Sequence, residues 1–169
     1  IDLNELISTE IQVLKLRPKH QDKELTVIFE PTPKLPQIQA DKEKVVRAVS
    51  NIIDNAFNYT TGGGTIEIKA LISPDDDGQV LVSVKDDGVG IPEEFQDQLW
   101  ERFVRHEDTA LTLDVAGTGL GLPIVKELIK MHGGKIWFET ETGVGTTFFI
   151  TLPLKQPEYM TNISAVSGS

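Results

Sequence analysis

The sequence predicts a single mixed domain of helices and strands, and two kinds of pattern support this. Segments 3–16 and 41–59 repeat apolar residues at intervals of three and four, as in a helix that buries one side. Short apolar runs bounded by turn-forming residues indicate strands at 25–29, 65–72, 80–85, 135–140 and 146–152. With 169 residues, 39% of them hydrophobic, the chain is long enough for one core and short for two.

Residues at the ends of these segments predict where helices start and stop. Asp41 is a candidate N-cap, and the glycines at 62–64 end the helix that it opens. Pro92 begins a short helical region to Phe103, because proline is favoured in a first helical turn. The polar, aperiodic segment 105–116 predicts a mobile loop, and a last helix follows from about residue 120 to the glycines at 133–134.

Composition excludes several functional classes. Sixteen basic and 26 acidic residues give a formal net charge of −10, which argues against nucleic acid as a partner. There is no cysteine, which suits a reducing cytoplasm, and no apolar run approaches the length of a transmembrane helix. We therefore expect a cytoplasmic fragment, whose parent protein can still be anchored in the inner or plasma membrane.

Three asparagines, Asn51, Asn55 and Asn58, fall on one side of the helix that starts near Asp41. Asparagine costs several tenths of a kcal/mol relative to alanine in a helix interior, so such a stripe suggests a compensating role. Neutral amide oxygens suit a magnesium ion that is already bound to nucleotide phosphates. A simple solvated polar face is the alternative interpretation.

Asp86 follows a strand in which Val80, Val82 and Val84 share one face, and alternation places Asp86 on that face. A buried carboxylate is costly without a partner, and the glycines at 88 and 90 would let a ligand approach closely. The amino group of a purine is one candidate partner. Alternatively, Asp86 only caps a turn at the end of the strand.

Glycines at 117, 119 and 121 alternate before the last helix, without the spacing of a dinucleotide-binding loop and without a Walker lysine. A glycine-rich loop that opens a helix is a general phosphate site, and a flexible hinge is the alternative. A second glycine pair at 143–146 is fully explained by a tight turn between strands.

Together these segments resemble the GHKL ATPases, and among them the histidine kinases, over 1–154. Residues 51–60 (NIIDNAFNYT) resemble the N box, 86–92 (DDGVGIP) the first glycine box and 99–103 (LWERF) the F box. Residues 117–121 (GTGLG) resemble the second glycine box and 143–146 (GVGT) the third.

The resemblance implies an α/β (α+β) two-layer sandwich of the Bergerat type, with three helices on one face of a mixed sheet. It implies ATP and Mg²⁺ as cofactors, with magnesium at Asn55 and Asn51, the adenine amino group at Asp86, and a lid over 105–116. The nucleotide-binding residues that it implies are Asn51, Asn55, Asn58, Tyr59, Asp86, Gly88, Gly90, Ile91, Gly117, Thr118, Gly119, Leu120, Gly121, Leu122 and Thr146.

One position departs from the family pattern. Many members have lysine where this chain has Asn58, so one contact between a cation and a phosphate is missing. Arg102 and Arg105 are candidate replacements, and we place Arg105 with Asn51 and Asn55 among the catalytic residues.

The function implied by the resemblance is transfer of the ATP γ-phosphate to a histidine on a separate dimerisation domain. His20, His106 and His132 all lack the surroundings of a phosphoacceptor histidine, so the acceptor should lie outside this chain. Implied partners are that domain and a response regulator, with a homodimeric parent and a monomeric fragment. The alternatives are another GHKL module, such as those of gyrase, MutL or heat-shock chaperones, and a nucleotide-binding module that no longer transfers phosphate.

The predicted domain organisation has three parts. Residues 1–16 form a helix connecting to the missing dimerisation domain, 17–154 form the ATP-binding domain, and 155–169 form a disordered tail that is poor in apolar residues.

Overall fold

A computed structural model describes residues 1–101 and 121–155. Within these ranges the α-helices are α1 (Leu3–Lys15), α2 (Pro18–Gln21), α3 (Lys42–Tyr59), α4 (Glu93–Gln96) and α5 (Gly121–Met131). The strands are β1 (Thr26–Phe29), β2 (Thr65–Ile72), β3 (Gln79–Asp86), β4 (Ile136–Glu141) and β5 (Gly145–Pro153). A short 3₁₀ helix spans Asp97–Trp100.

The five strands form one mixed sheet in the order β1-β2-β3-β5-β4. Strand β1 runs parallel to β2, and every other neighbouring pair is antiparallel. The predicted hairpin of β2 and β3 is confirmed, with Ile66 opposite Asp86 in its register. Helices α1, α3 and α5 supply apolar residues to a core shared with the sheet, which confirms the predicted two-layer α/β class.

Local sequence explains where the two long helices begin. The Asp2 carboxylate caps α1 by accepting from the Glu5 N–H at 3.1 Å, and Asp41 caps α3 by accepting from the Lys44 N–H at 3.3 Å. The Asp41 prediction is therefore confirmed. Both helices thus begin at an aspartate, and the N-terminal end of a helix dipole favours negative charge.

The helical region predicted from Pro92 to Phe103 is shorter and less regular than expected within the described residues. It comprises α4 and the 3₁₀ helix, and Glu101 has extended backbone after Trp100. Leu99 is buried in this stretch, and Phe95 and Trp100 pack against the same core while partly buried.

The three-part domain organisation stays a prediction. In the structure, α1 contributes Leu3, Ile7 and Leu14 to the same core as the rest of the domain. The tail predicted over 155–169 lies outside the described residues beyond residue 155. None of the helices in the described ranges combines the length and apolar character needed to span a bilayer.

Candidate functional site

The asparagine stripe lies on the described face of α3 as the spacing predicts. Asn51 and Asn55 are half-buried, and Asn58 is 4% exposed. The amide nitrogen of Asn55 is buried and has no hydrogen-bond partner among the described residues. An unpaired buried amide N–H costs about 1–3 kcal/mol, and a ligand that accepted a hydrogen bond from it would recover that free energy. A solvated polar face does not explain such burial.

Asp86 ends β3 on its buried face, as the alternation of valines predicts. It is 4% exposed, and its Oδ1 accepts hydrogen bonds from the Gly88 N–H at 2.9 Å and the Thr146 N–H at 3.3 Å. Burial raises the pKa of this carboxyl to about 6, against the lowering effect of the two backbone bonds. Since both bonds go to Oδ1, Oδ2 is the oxygen left for a ligand.

The loop after Asp86 has room for backbone only. A Cβ at Gly88 would collide with the carbonyl oxygen of Tyr59, and one at Gly90 would collide with the carbonyl of Glu141. Gly90 also has a φ of +73°, which strongly favours glycine. The Ile91 side chain is buried and its N–H donates to Thr140 Oγ1 at 2.9 Å. The loop is thus fixed against both α3 and β4.

Tyr59 connects Asp86 with the asparagine helix. Burial first, and then the charges of Asp86 and Asp54, raise the pKa of its hydroxyl to about 12. A Cβ added at Gly88 would meet both the Tyr59 carbonyl oxygen and Asp86 Oδ1, so the loop after β3 packs directly on the end of α3. The end of β3 and the last turns of α3 therefore form one site rather than two surfaces.

Thr146 lies behind Asp86. Its N–H donates to the carboxylate, and its hydroxyl is 2.8 Å from Thr140 Oγ1. The residue is 5% exposed, so in this structure its contact is with Asp86. We therefore interpret Thr146 as a residue that orients the carboxylate.

Residues predicted for the phosphate side are only partly described. Gly121 is the first residue of α5, and a Cβ there would meet no atom of the described residues within 4 Å. The Leu122 side chain belongs to the hydrophobic core, which leaves its backbone for a ligand. The predicted residues Arg102, Arg105, Gly117, Thr118, Gly119 and Leu120, and with them the whole of the predicted lid, lie outside the described residues.

Sequence reasoning missed a charged cluster around Asp54. Its Oδ1 lies 2.9 Å from His20 Nε2 and 3.3 Å from Arg17 Nη1, and its Oδ2 lies 3.5 Å from Lys19 Nζ. Asn58 Nδ2 also donates to Oδ2, at 3.5 Å. The four-residue spacing of Asp54 and Asn58 was a readable signal. The contacts with α2 and its flanks join residues more than 30 positions apart, and no sequence pattern indicated them.

The second missed residue is Lys23. Its ammonium donates to the carbonyl oxygens of Phe57, Asn58 and Thr60 at 2.8, 2.9 and 3.2 Å. Helix α3 has no basic residue in its own last turn, so Lys23 supplies the cation that this end of the helix dipole favours. Desolvation by burial, followed by the charge of Lys19, lowers the pKa of Lys23.

Comparison with known proteins identifies the class. A family model described as "Histidine kinase-, DNA gyrase B-, and HSP90-like ATPase" matches residues 40–156. The match covers well over half of the chain, and the chain therefore belongs to this family of ATPases. The site assembled above lies within the matched stretch, between α3 and the end of β3.

The relatives narrow the class to sensor histidine kinases. "Sensor histidine kinase WalK" of Bacillus subtilis (strain 168) is 38% identical over 121 residues, covering 72% of this chain and 20% of that protein. Full-length ShkA, solved in complex with AMPPNP, superposes with a TM-score of 0.76 at 25% identity, covering 93% of this chain and 31% of that one. Histidine kinase ThkA, solved in complex with response regulator protein TrrA, gives 0.70 at 27% identity, covering 91% and 41%.

These findings confirm the predicted resemblance to the catalytic ATPase domain of sensor histidine kinases. The chain spans only 20% to 36% of the length of the curated sensor kinases compared with it. Functions carried by the unmatched parts of those relatives are not assigned to this chain.

Proposed function

We propose that this chain binds ATP with Mg²⁺ between α3 and the loop after β3, and transfers the γ-phosphate to a histidine on a dimerisation domain. The observation that carries the proposal is the juxtaposition of Asp86, Tyr59 and Asn55 in one site. The relative ShkA, whose fold this chain shares, was solved with the ATP analogue AMPPNP.

At the base end, Asp86 is suited to accept a hydrogen bond from the adenine amino group. Its Oδ1 is already fixed by two backbone N–H groups, which aims Oδ2 without a flexible side-chain partner. Tyr59 lies half-buried beside it and offers a flat apolar surface to the purine. Gly88 and Gly90 have no side chain that would block the approach of the base, and the Ile91 side chain next to them is buried.

At the phosphate end, Asn55 and Asn51 would hold magnesium through their amide oxygens. The ion would neutralise phosphate charge and help align the γ-phosphate for transfer. Asn55 fits this role because its amide nitrogen has no hydrogen-bond partner among the described residues. The amide could therefore turn its oxygen toward the ion without breaking a hydrogen bond at that nitrogen. The first backbone N–H groups of α5, at Gly121 and Leu122, fit the phosphates of an anionic ligand.

The remaining predicted contacts belong to the same proposal. Gly117, Thr118, Gly119 and Leu120 would extend the phosphate-binding backbone before α5, and Arg105 would provide a cation from the lid. Positioning and charge neutralisation account for most of the catalysis in phosphoryl transfer, so the domain needs no nucleophile of its own.

The acceptor and the partners are also proposals. The longer protein would be a homodimer through its dimerisation domain, would be anchored in a membrane, and would pass phosphate to a response regulator. ThkA, solved together with TrrA, shows that a kinase of similar fold associates with such a regulator. The isolated chain would be monomeric, since its dimer contacts would lie in the other domain.

Transfer can be tested by mixing this chain with a purified dimerisation domain and γ-labelled ATP. We expect label on a histidine of the added domain, stable to base and lost in acid. Tight ATP binding without any transfer would instead support a module that only binds nucleotide. An acceptor domain whose histidine is replaced by alanine provides the control.

Asn55→Ala tests the magnesium assignment. Because the proposed ligand is lost, ATP affinity should lose most of its dependence on magnesium, measured by calorimetric titration with the ion and with EDTA. Asn4→Ala, the same change on α1, is the matched control and should keep the wild-type dependence. A wild-type magnesium effect in Asn55→Ala would place the ligand elsewhere.

A further inference from the structure

Asp54 places a carboxylate beside the asparagine stripe. It lies three residues after Asn51 and four before Asn58, so all three share one face of α3. Asn58 Nδ2 and Lys19 Nζ each lie 3.5 Å from the same oxygen, Oδ2. The two nitrogens are therefore no further apart than twice that distance. Lys19, although remote in sequence, brings its ammonium beside the stripe.

The charge balance favours such a cation. The chain has a formal charge of −10, and both Asp54 and Asp86 carry carboxylates near Tyr59. A polyphosphate bound over the stripe would be repelled by Asp54 unless that charge were balanced. Burial in a medium of lower dielectric strengthens this repulsion, since Asp54 is only 19% exposed.

The other basic groups of the cluster are committed elsewhere. Lys23 is bound to three carbonyl oxygens at the end of α3. His20 is buried against Phe57, and burial lowers its pKa, which favours the neutral ring. Arg17 pairs with Oδ1, the oxygen that does not contact Asn58. Lys19 alone among these four lies on the Oδ2 side, with 40% of its side chain exposed.

We propose that Lys19 is a phosphate-binding residue, positioned by Asp54 so that its ammonium contacts the polyphosphate of the bound nucleotide. The inference rests on the proposed function, because it requires the nucleotide to lie over α3. Asp54 acts here as a positioning residue. Arg17 and Lys19 balance its charge, and its Oδ2 directs Lys19 toward the ligand.

Lys19→Gln should weaken binding in proportion to the number of phosphates. Measured calorimetrically at low ionic strength, the dissociation constant should rise roughly 3- to 10-fold for ATP, less for ADP and not for adenosine, as for a partly exposed charge pair. Lys19→Arg should restore most of the loss. Added salt should reduce the difference between wild type and variant.

Two matched controls separate a local contact from a change in net charge. Lys69→Gln removes a cation that pairs with Glu67 on β2, and it should leave ATP affinity unchanged. Arg17→Gln removes a cation from the far oxygen of Asp54, and its effect should be clearly smaller than that of Lys19→Gln. Equal losses in all three variants would show a general charge effect and overturn the proposal.

The outcome also distinguishes this inference from the proposed function. If wild-type protein binds ATP and adenosine, and Lys19→Gln binds ATP equally well, the Lys19 assignment is wrong while the nucleotide site stands. Weaker binding of adenosine in Lys19→Gln, in step with ATP, would also overturn the assignment. If wild-type protein binds neither ligand, both proposals fail.

Discussion

Two carboxylates, Asp86 at the end of β3 and Asp54 in α3, lie in contrasting environments. Asp86 is nearly fully buried, accepts only backbone N–H groups, and has a pKa raised to about 6 by its burial. Asp54 is half-buried and surrounded by Arg17, Lys19 and His20. The same side chain is therefore used in two electrostatic settings within one site.

The difference suggests two roles. A carboxylate that lacks a cationic partner is poorly solvated and gains most from a ligand that donates a hydrogen bond, as an adenine amino group does. A carboxylate surrounded by cations gains little from such a ligand, but it can fix the positions of those cations. Asp86 thus suits recognition of the base, whereas Asp54 suits management of charge near the phosphates.

The largest expected effect that tests this comparison is on nucleotide affinity. Asp86→Asn should weaken ATP binding by roughly 1.5–3 kcal/mol, because a hydrogen bond to a charged acceptor is lost. Adenosine should lose a similar amount, since the contact is with the base. Calorimetry on both ligands measures this, and unchanged affinities would remove Asp86 from the site.

The same variant should have the opposite effect on stability. The pKa of Asp86 rises from 3.8 to about 6 on folding, so at neutral pH the folded state holds an unfavourable charge. Removing it should raise the free energy of unfolding by about 1–3 kcal/mol at pH 7, the range set by roughly two pKa units.

The pH dependence of that gain is a further check. In wild type, the raised pKa means that stability increases as pH falls through about 6 toward 3.8, and levels off below 3.8, where the carboxyl is protonated in both states. The advantage of Asp86→Asn should therefore be full above about pH 6 and disappear below the unfolded pKa. Urea denaturation at several pH values measures it. A gain that stays constant down to acidic pH would contradict the burial argument.

Asp54→Asn should destabilise the fold, by about 1 kcal/mol, because it leaves Arg17 and Lys19 without their counter-charge. Glu67→Gln, which removes an exposed carboxylate on β2 that pairs with Lys69, is the matched control and should leave the unfolding midpoint unchanged. If Asp54→Asn and Asp86→Asn shift stability in the same direction, the two carboxylates do not differ as we infer.

The placements that the sequence predicted correctly depend on short-range periodicity. The alternation of valines in β3 placed Asp86 on the buried face, and the spacing of Asn51, Asn55 and Asn58 placed them on one side of α3. In both cases a regular backbone converts residue spacing directly into direction. The same holds for the Asp41 cap, where one side chain bonds to the backbone three residues later.

The parts that sequence did not predict depend on contacts between distant segments. The insertion of β5 between β3 and β4 follows from packing of the whole sheet. The pairing of His20 with Asp54, and of Lys23 with the end of α3, follows from how residues 17–23 cross that helix. No local pattern encodes such crossings. The length of the helix after Pro92 was overestimated, because the signals that start a helix do not determine where it ends.

The bonds of Lys23 to the end of α3 tie two stretches of chain into one mechanical unit. Three carbonyl oxygens depend on a side chain that belongs to the segment leading into β1. A shift of that segment would therefore loosen the last turn of α3, next to Tyr59 and Asn58. The Thr60 N–H donates to the Ala56 carbonyl in this turn, so faster amide hydrogen exchange at Thr60 would report the loosening directly.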